Sequence, residues 1–120
     1  MAGVPGPQAQ SRLAADTRTE RLLNATGPGS PATVLFNSYP VNLYMVFLDG
    51  NGTYRLDIWN GTNIPVKTIY EKIIITQKDD WGTWDGTDSA GIPQARGTYF
   101  AVLSKDGRAL RKVVLSWVKP

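Results

Sequence analysis

The chain has 120 residues, with Lys+Arg 13 against Asp+Glu 10 for a formal charge of +3, and contains neither cysteine nor histidine. One domain of ordinary size fits that length, and a disulfide framework, a zinc knuckle, a thiol nucleophile and a histidine general base are excluded. The charge is too mild to predict a nucleic-acid face: Lys105, Arg108, Arg111, Lys112 and Lys119 alternate with apolar residues and read as a solvated strand face.

Residues 1–32 differ in composition from the rest of the chain. Pro/Gly-rich flanks, "MAGVPGPQ" and "TGPGSPA", enclose "AQSRLAADTRTERLLNAT". That middle has good helix formers and Ser11 as an N-cap candidate. Its apolar residues Leu13, Ala14, Leu22 and Leu23 form a stripe too thin to bury a core of its own. Two readings compete: a loose tail, or an extended or partly helical arm that orders on a neighbouring subunit. In the second, Val4, Leu13, Leu22 and Leu23 are the docking set. The start lacks a basic segment followed by an apolar run, so no cleavable signal peptide is expected. No stretch reaches transmembrane length, so no membrane insertion is expected either.

From Thr33 the pattern changes to period two with β-rich composition, and residues 33–120 are expected to form one domain. "TVLFNSY" and "VNLYMVFLD" read as strands separated by Pro40. In the second, Val41, Leu43, Met45 and Phe47 alternate with the other face. "DGNG" predicts a turn, and "TYRLDIWN" a strand with Tyr54, Leu56 and Ile58 on one side. "NGTNIP" turns the chain again before "VKTIYEKIIITQ", which holds one or two strands. "WGTWDG" is short. "GTYFAVLSK", "KDGR" and "ALRKVVLSWV" read as a closing hairpin, whose last strand, 113–118, could pair in trans if it lies at an edge. About seven or eight short strands at this spacing predict an all-β, antiparallel, immunoglobulin-like sandwich. Of three glycosylation sequons, at Asn24, Asn51 and Asn60, the last two precede glycine and read as turn residues.

The most distinctive stretch is "DDWGTWDGTDSAG", residues 79–91. From Trp81 onward, "WGTWDGTDSAGIPQARGTYFAVLSKDGR", residues 81–108, resembles the C-terminal part of the bacterial immunoglobulin-like domain of flagellar hook-capping proteins. The matching positions are Trp84, Asp85, Gly86, Asp88, Gly91, Pro93, Gly97, Tyr99 and Phe100. Upstream, Ile58 and Val66 stand at the expected apolar places, and the resemblance spans about residues 41–118. One departure is "NIPVKTI", where the family usually has a glycine before the strand. The resemblance implies a sandwich corner. Trp84 would cap the core, Asp85 and Asp88 would accept backbone N–H bonds, and the glycines would supply positive φ or close approach.

Other chemistries for the same stretch are weaker. Asp79, Asp80, Asp85 and Asp88 do not follow the spacing of an EF-hand loop. Asp85 and Asp88 as a glycosidase pair lack a sugar cleft around them. Trp59, Trp81 and Trp84 suggest an aromatic platform, with Trp81 the candidate for exposure. No catalytic residue, metal or cofactor is assigned. The expectation is a non-enzymatic assembly protein that decorates, cements or caps a multi-subunit particle. Its partners would be protein subunits, copies of itself included. A bacteriophage virion is the first setting and a flagellar hook or extracellular filament the second. Hook-capping proteins carry a longer N-terminal assembly segment, so a complete hook-capping protein is not expected. A carbohydrate- or surface-binding module is the remaining alternative.

Overall fold

A computed structural model describes residues 11–16, 23–24, 32–36 and 40–117. Among them there is no helix, and the chain is an all-β sandwich. Nine strands are described, in chain order: β1 Arg12–Asp16, β2 Leu23–Asn24, β3 Ala32–Phe36, β4 Val41–Val46, β5 Gly52–Asn60, β6 Pro65–Ile74, β7 Asp79–Trp84, β8 Thr98–Lys105 and β9 Arg108–Trp117. One sheet has the order β2-β1-β4-β7, the other β3-β9-β8-β5-β6. Every described pairing is antiparallel except β3 with β9, which is parallel. The triplets β1-β4-β7 and β9-β8-β5 reproduce the A-B-E and G-F-C sheets of an immunoglobulin-like sandwich.

Period-two patterning explains the core. Val41, Leu43 and Met45 from β4 are completely buried, and so are Tyr54, Leu56 and Ile58 from β5. Ala101, Leu103, Val113 and Leu115 supply the same layer from β8 and β9. β4 and β5 thus turn alternate side chains inward, and the inner faces of the two sheets meet in one core.

Two expectations are corrected and one is refined. First, Arg12–Asp16 is a strand, not arm or helix: β1 pairs with β4, Leu13 opposite Met45 and Ala15 opposite Leu43. Leu13 and Ala15 are fully buried in the shared core, so Leu13 is not an exposed docking residue, and the sandwich reaches back before residue 33. Ser11 caps this strand instead of a helix: its backbone N–H donates to Asp49 Oδ1 at 2.8 Å, and its Oγ accepts from the Leu48 N–H at 2.9 Å. Val4 and Leu22 lie outside the described residues, and Leu23 is described only by its backbone pairing with Ala15. Second, the chain turns at "DGNG" as its residues imply, but not within one sheet. β4 and β5 belong to different sheets, so the turn carries the chain across the sandwich. The Tyr54 hydroxyl holds it, donating to Gly50 O at 2.7 Å and accepting from the Asp49 N–H at 3.2 Å. Third, β9 is not an edge strand: it lies between β3 and β8, which removes it as a trans-pairing site.

The true hairpins are set by local chemistry. Between β8 and β9, Asp106 and Gly107 take φ of 50° and 84°, the positive pair of a two-residue hairpin turn. Between β5 and β6, Asn60 Oδ1 accepts from the N–H groups of Thr62 and Ile64 at 2.9 and 3.0 Å and from the Thr62 hydroxyl at 2.8 Å. Asn60 therefore serves as a turn-forming residue.

Candidate functional site

The segment after β7 folds as a compact corner. Trp84 is fully buried, its ring 4.9 Å from that of Tyr99 and tilted 60° to it, and its Nε1–H donates to Thr87 O at 2.8 Å. Asp85 Oδ1 accepts from the Thr87 hydroxyl at 2.5 Å and the Thr87 N–H at 3.1 Å. Asp88 Oδ1 accepts from the N–H groups of Ala90 and Ile92, both at 2.9 Å. Gly86 and Gly91 have φ of 83° and 81°, where a side chain would be strained. Pro93 bridges Thr87 across the loop, and Gly97, at φ 147°, precedes β8. The Tyr99 hydroxyl reaches back to Ala95 O, the tyrosine corner of immunoglobulin-like sandwiches at the start of their sixth core strand. The Asp85 and Asp88 carboxylates are thus engaged in shaping their own turns. The loop also ties to β6, since the Ser89 N–H donates to Val66 O at 3.1 Å and Lys67 Nζ stands 3.6 Å from Asp85 Oδ1.

The neighbouring strands β6 and β7 are the outer strands of their sheets on one side of the sandwich. Across this side the two sheets are latched by side chains. Asp80 lies opposite Met45 in the β4–β7 ladder, so it shares the core-facing side of β7. Its Oδ2 accepts from the Tyr70 hydroxyl at 2.8 Å and from Gln77 Nε2 at 3.0 Å, while Oδ1 accepts from the Trp81 N–H at 2.8 Å. The Trp81 N–H first, then Tyr70, hold the Asp80 carboxyl below the usual carboxylate range. Burial, followed by the bond to Asp80, pushes the Tyr70 phenol well above its ordinary value.

β6, β7 and the loops beside them also carry the large apolar side chains that stand in solvent. Among the described residues the large hydrophobic side chains standing in solvent are Ile64, Ile73, Ile75, Trp81 and Ile92. Ile73 is in β6 and Trp81 in β7, while Ile64, Ile75 and Ile92 occupy the adjoining loops. Trp81, the tryptophan singled out from sequence, is 46% exposed and packs its ring 4.9 Å from Tyr44, whose hydroxyl donates to Asp79. Sequence reasoning missed the four isoleucines. A signal existed for two of them: "III" at 73–75 lies in an alternating strand, so burying Ile74 must expose its neighbours.

No family model, no curated protein and no solved structure matches this chain, so the reading of these surfaces rests on their own geometry.

Proposed function

We propose that the chain is a non-enzymatic module of a multi-subunit particle, and that it binds neighbouring subunits through the β6–β7 side of its sandwich. One observation carries this reading: Ile64, Ile73, Ile75, Trp81 and Ile92, the large apolar residues exposed among those described, all fall within 64–92, on two edge strands and their loops. Ile73 and Ile75 flank the buried Ile74 and so share one face at the end of β6, a paired apolar surface that a partner can cover. Edge strands also offer unpaired backbone groups to a partner strand.

The setting favoured is a bacteriophage virion, where the module would decorate or cement the particle. The corner motif at 84–100 favours a flagellar or extracellular filament as the second setting, through its resemblance to the hook-capping domain. With Leu13 committed to the core, the contact surface proposed is the sandwich flank and not residue 13.

The test is co-purification with particles. Tagged wild-type protein, produced in its source cells, is expected to travel with large particles on a density gradient. A double variant, Ile73→Lys with Ile75→Lys, should keep its melting temperature, because both side chains are more than half exposed, and should remain with small soluble proteins. Wild-type protein that never enters a particle fraction would defeat the reading, as would a variant that assembles normally.

A further inference from the structure

The outer face of the five-stranded sheet carries a different arrangement. Ile58 is completely buried, so Trp59 next to it on β5 turns away from the core. It stands opposite Phe100 of β8 and Pro65 of β6. Lys112 of β9 places its ammonium 4.2 Å from the Phe100 ring centroid. Trp59 walls three adjoining hollows. The first, about 270 Å³, is completed by Asn63, Phe100, Val102 and Lys112. The second, about 440 Å³, runs past Arg55, Asp57, Glu71 and Ser104. The third, about 250 Å³, includes Asp57, Lys67, Thr68 and Ser89.

The polar groups in these hollows are fixed in place. Arg55 Nη2 donates to Asp57 Oδ1 at 3.0 Å and to Thr68 Oγ1 at 3.1 Å, and the Thr68 hydroxyl donates to Asp57 Oδ1 at 2.5 Å. Groups held this way lose little freedom when a ligand arrives.

We propose that this face is a binding platform for a short neutral oligosaccharide, with Trp59 as the stacking surface. Three properties select that occupant. A pyranose has an apolar C–H face and a rim of hydroxyls, and the platform offers an aromatic plane bordered by fixed donors and acceptors. Two of the cations already have carboxylate partners and a third has an aromatic one: Arg55 pairs with Asp57, Lys67 lies near Asp85, and Lys112 rests on Phe100. A charged ligand would have to compete with those pairings, whereas hydroxyls can add to them. The hollows are also small and meet at Trp59, which suits single sugar rings and gives a protein surface little to fill. The aromatics here are half-buried, unlike the exposed residues of the β6–β7 side. Pro65 to Thr68 of β6 line the third hollow, so the platform borders the assembly flank, and variants tell the two apart: Trp59 for the platform, Ile73 and Ile75 for the flank.

Isothermal titration of the full chain tests this with four probes: hexaoses of β-1,4-glucose, β-1,4-mannose, β-1,4-N-acetylglucosamine and α-1,4-glucose. At least one should bind with a Kd of roughly 10 μM to 1 mM. Trp59→Ala should weaken that binding about tenfold or more with an unchanged melting temperature. Trp59→Phe should retain most of it, and Trp81→Ala all of it. Three results would overturn the proposal. None of the four probes saturates the protein at millimolar concentration. Binding is lost in Trp81→Ala and kept in Trp59→Ala. A proline-rich decapeptide binds through Trp59 while no hexaose does.

Discussion

Asp80, Asp85 and Asp106 do the same job in three places: each carboxylate accepts a backbone N–H and so fixes a bend or a strand end. The donors are Trp81 for Asp80, Thr87 for Asp85 and Thr53 for Asp106. All three carboxyls are held below their ordinary value, by Trp81 N–H first in Asp80, by the Thr87 hydroxyl first in Asp85, and by the Thr53 N–H first in Asp106. A depressed folded-state value means that the folded chain releases these protons more readily than the unfolded chain. The stabilisation is complete above the unfolded value, about 3.9 for Asp, and is lost as pH falls through the lower folded values. Melting temperature should therefore be flat at neutral pH and decline once the pH drops below about 4. Asp80→Asn keeps an acceptor for Tyr70 but cannot titrate, so its acid decline should be shallower than wild type. Equal slopes for the two proteins would remove Asp80 from the account.

At the scale of elements, β7 shows how an exposed edge is kept from pairing at random. It is six residues long and carries Asp80 on its inward face, a charge that a second edge strand would have to bury. Gly82 faces inward too: a Cβ there would stand 3.1 Å from Leu56 Cδ2, so the strand lies close against β5. β6 is guarded differently, by Pro65 and by register shifts against β5 at Leu56/Asp57 and Ile58/Trp59. Replacing Asp80 with valine removes the inward charge and leaves the Tyr70 hydroxyl without its partner. Light scattering during slow heating should show Asp80→Val aggregating at lower temperature than wild type, with Asp80→Asn close to wild type. Identical onset for all three would mean that the edge is protected by other residues.

Elements were legible where local chemistry sets them. Asp106-Gly107 and Asn60-Gly61 announce their turns, and alternation in 41–47 and 54–58 names the inward face before any partner is known. β1 was not legible. "RLAA" consists of helix formers, and only pairing with β4 makes it a strand, a case of tertiary contact overriding propensity. "DGNG" was legible as a turn but not as a crossing between sheets, because that depends on which strand β5 finds. The corner at 84–99 could be read residue by residue because its bonds are nearly all local. The isoleucines left in solvent depend on which strands end up outermost, and the Trp59 platform on which strands flank β5, and both are properties of the assembled sheets.

For the whole molecule, the first strand is part of the domain. Leu13 and Ala15 fill the core beside Met45 and Leu43, and β1 covers the edge that β4 would otherwise present. Deleting residues 1–16 removes a fully buried leucine, a loss of about 2–5 kcal/mol by itself, and exposes that edge. Against a domain stability of about 5–15 kcal/mol the truncated protein should be poorly soluble or unfold at much lower urea than wild type. A truncated chain with the wild-type urea midpoint would show that β1 contributes nothing.

The parallel pairing of β3 with β9 has a mechanical consequence. Ala32 pairs with Val113 and Phe36 with Trp117, so the two strands run side by side in the same direction. A pull applied at the start of β3 and at the end of β9 tries to slide one strand along the other. All the rungs of that ladder then carry the load together, instead of opening one after another as in a peeled hairpin. A subunit gripped at those two points would resist stretching through its own sheet, and would yield only when the whole seam slips.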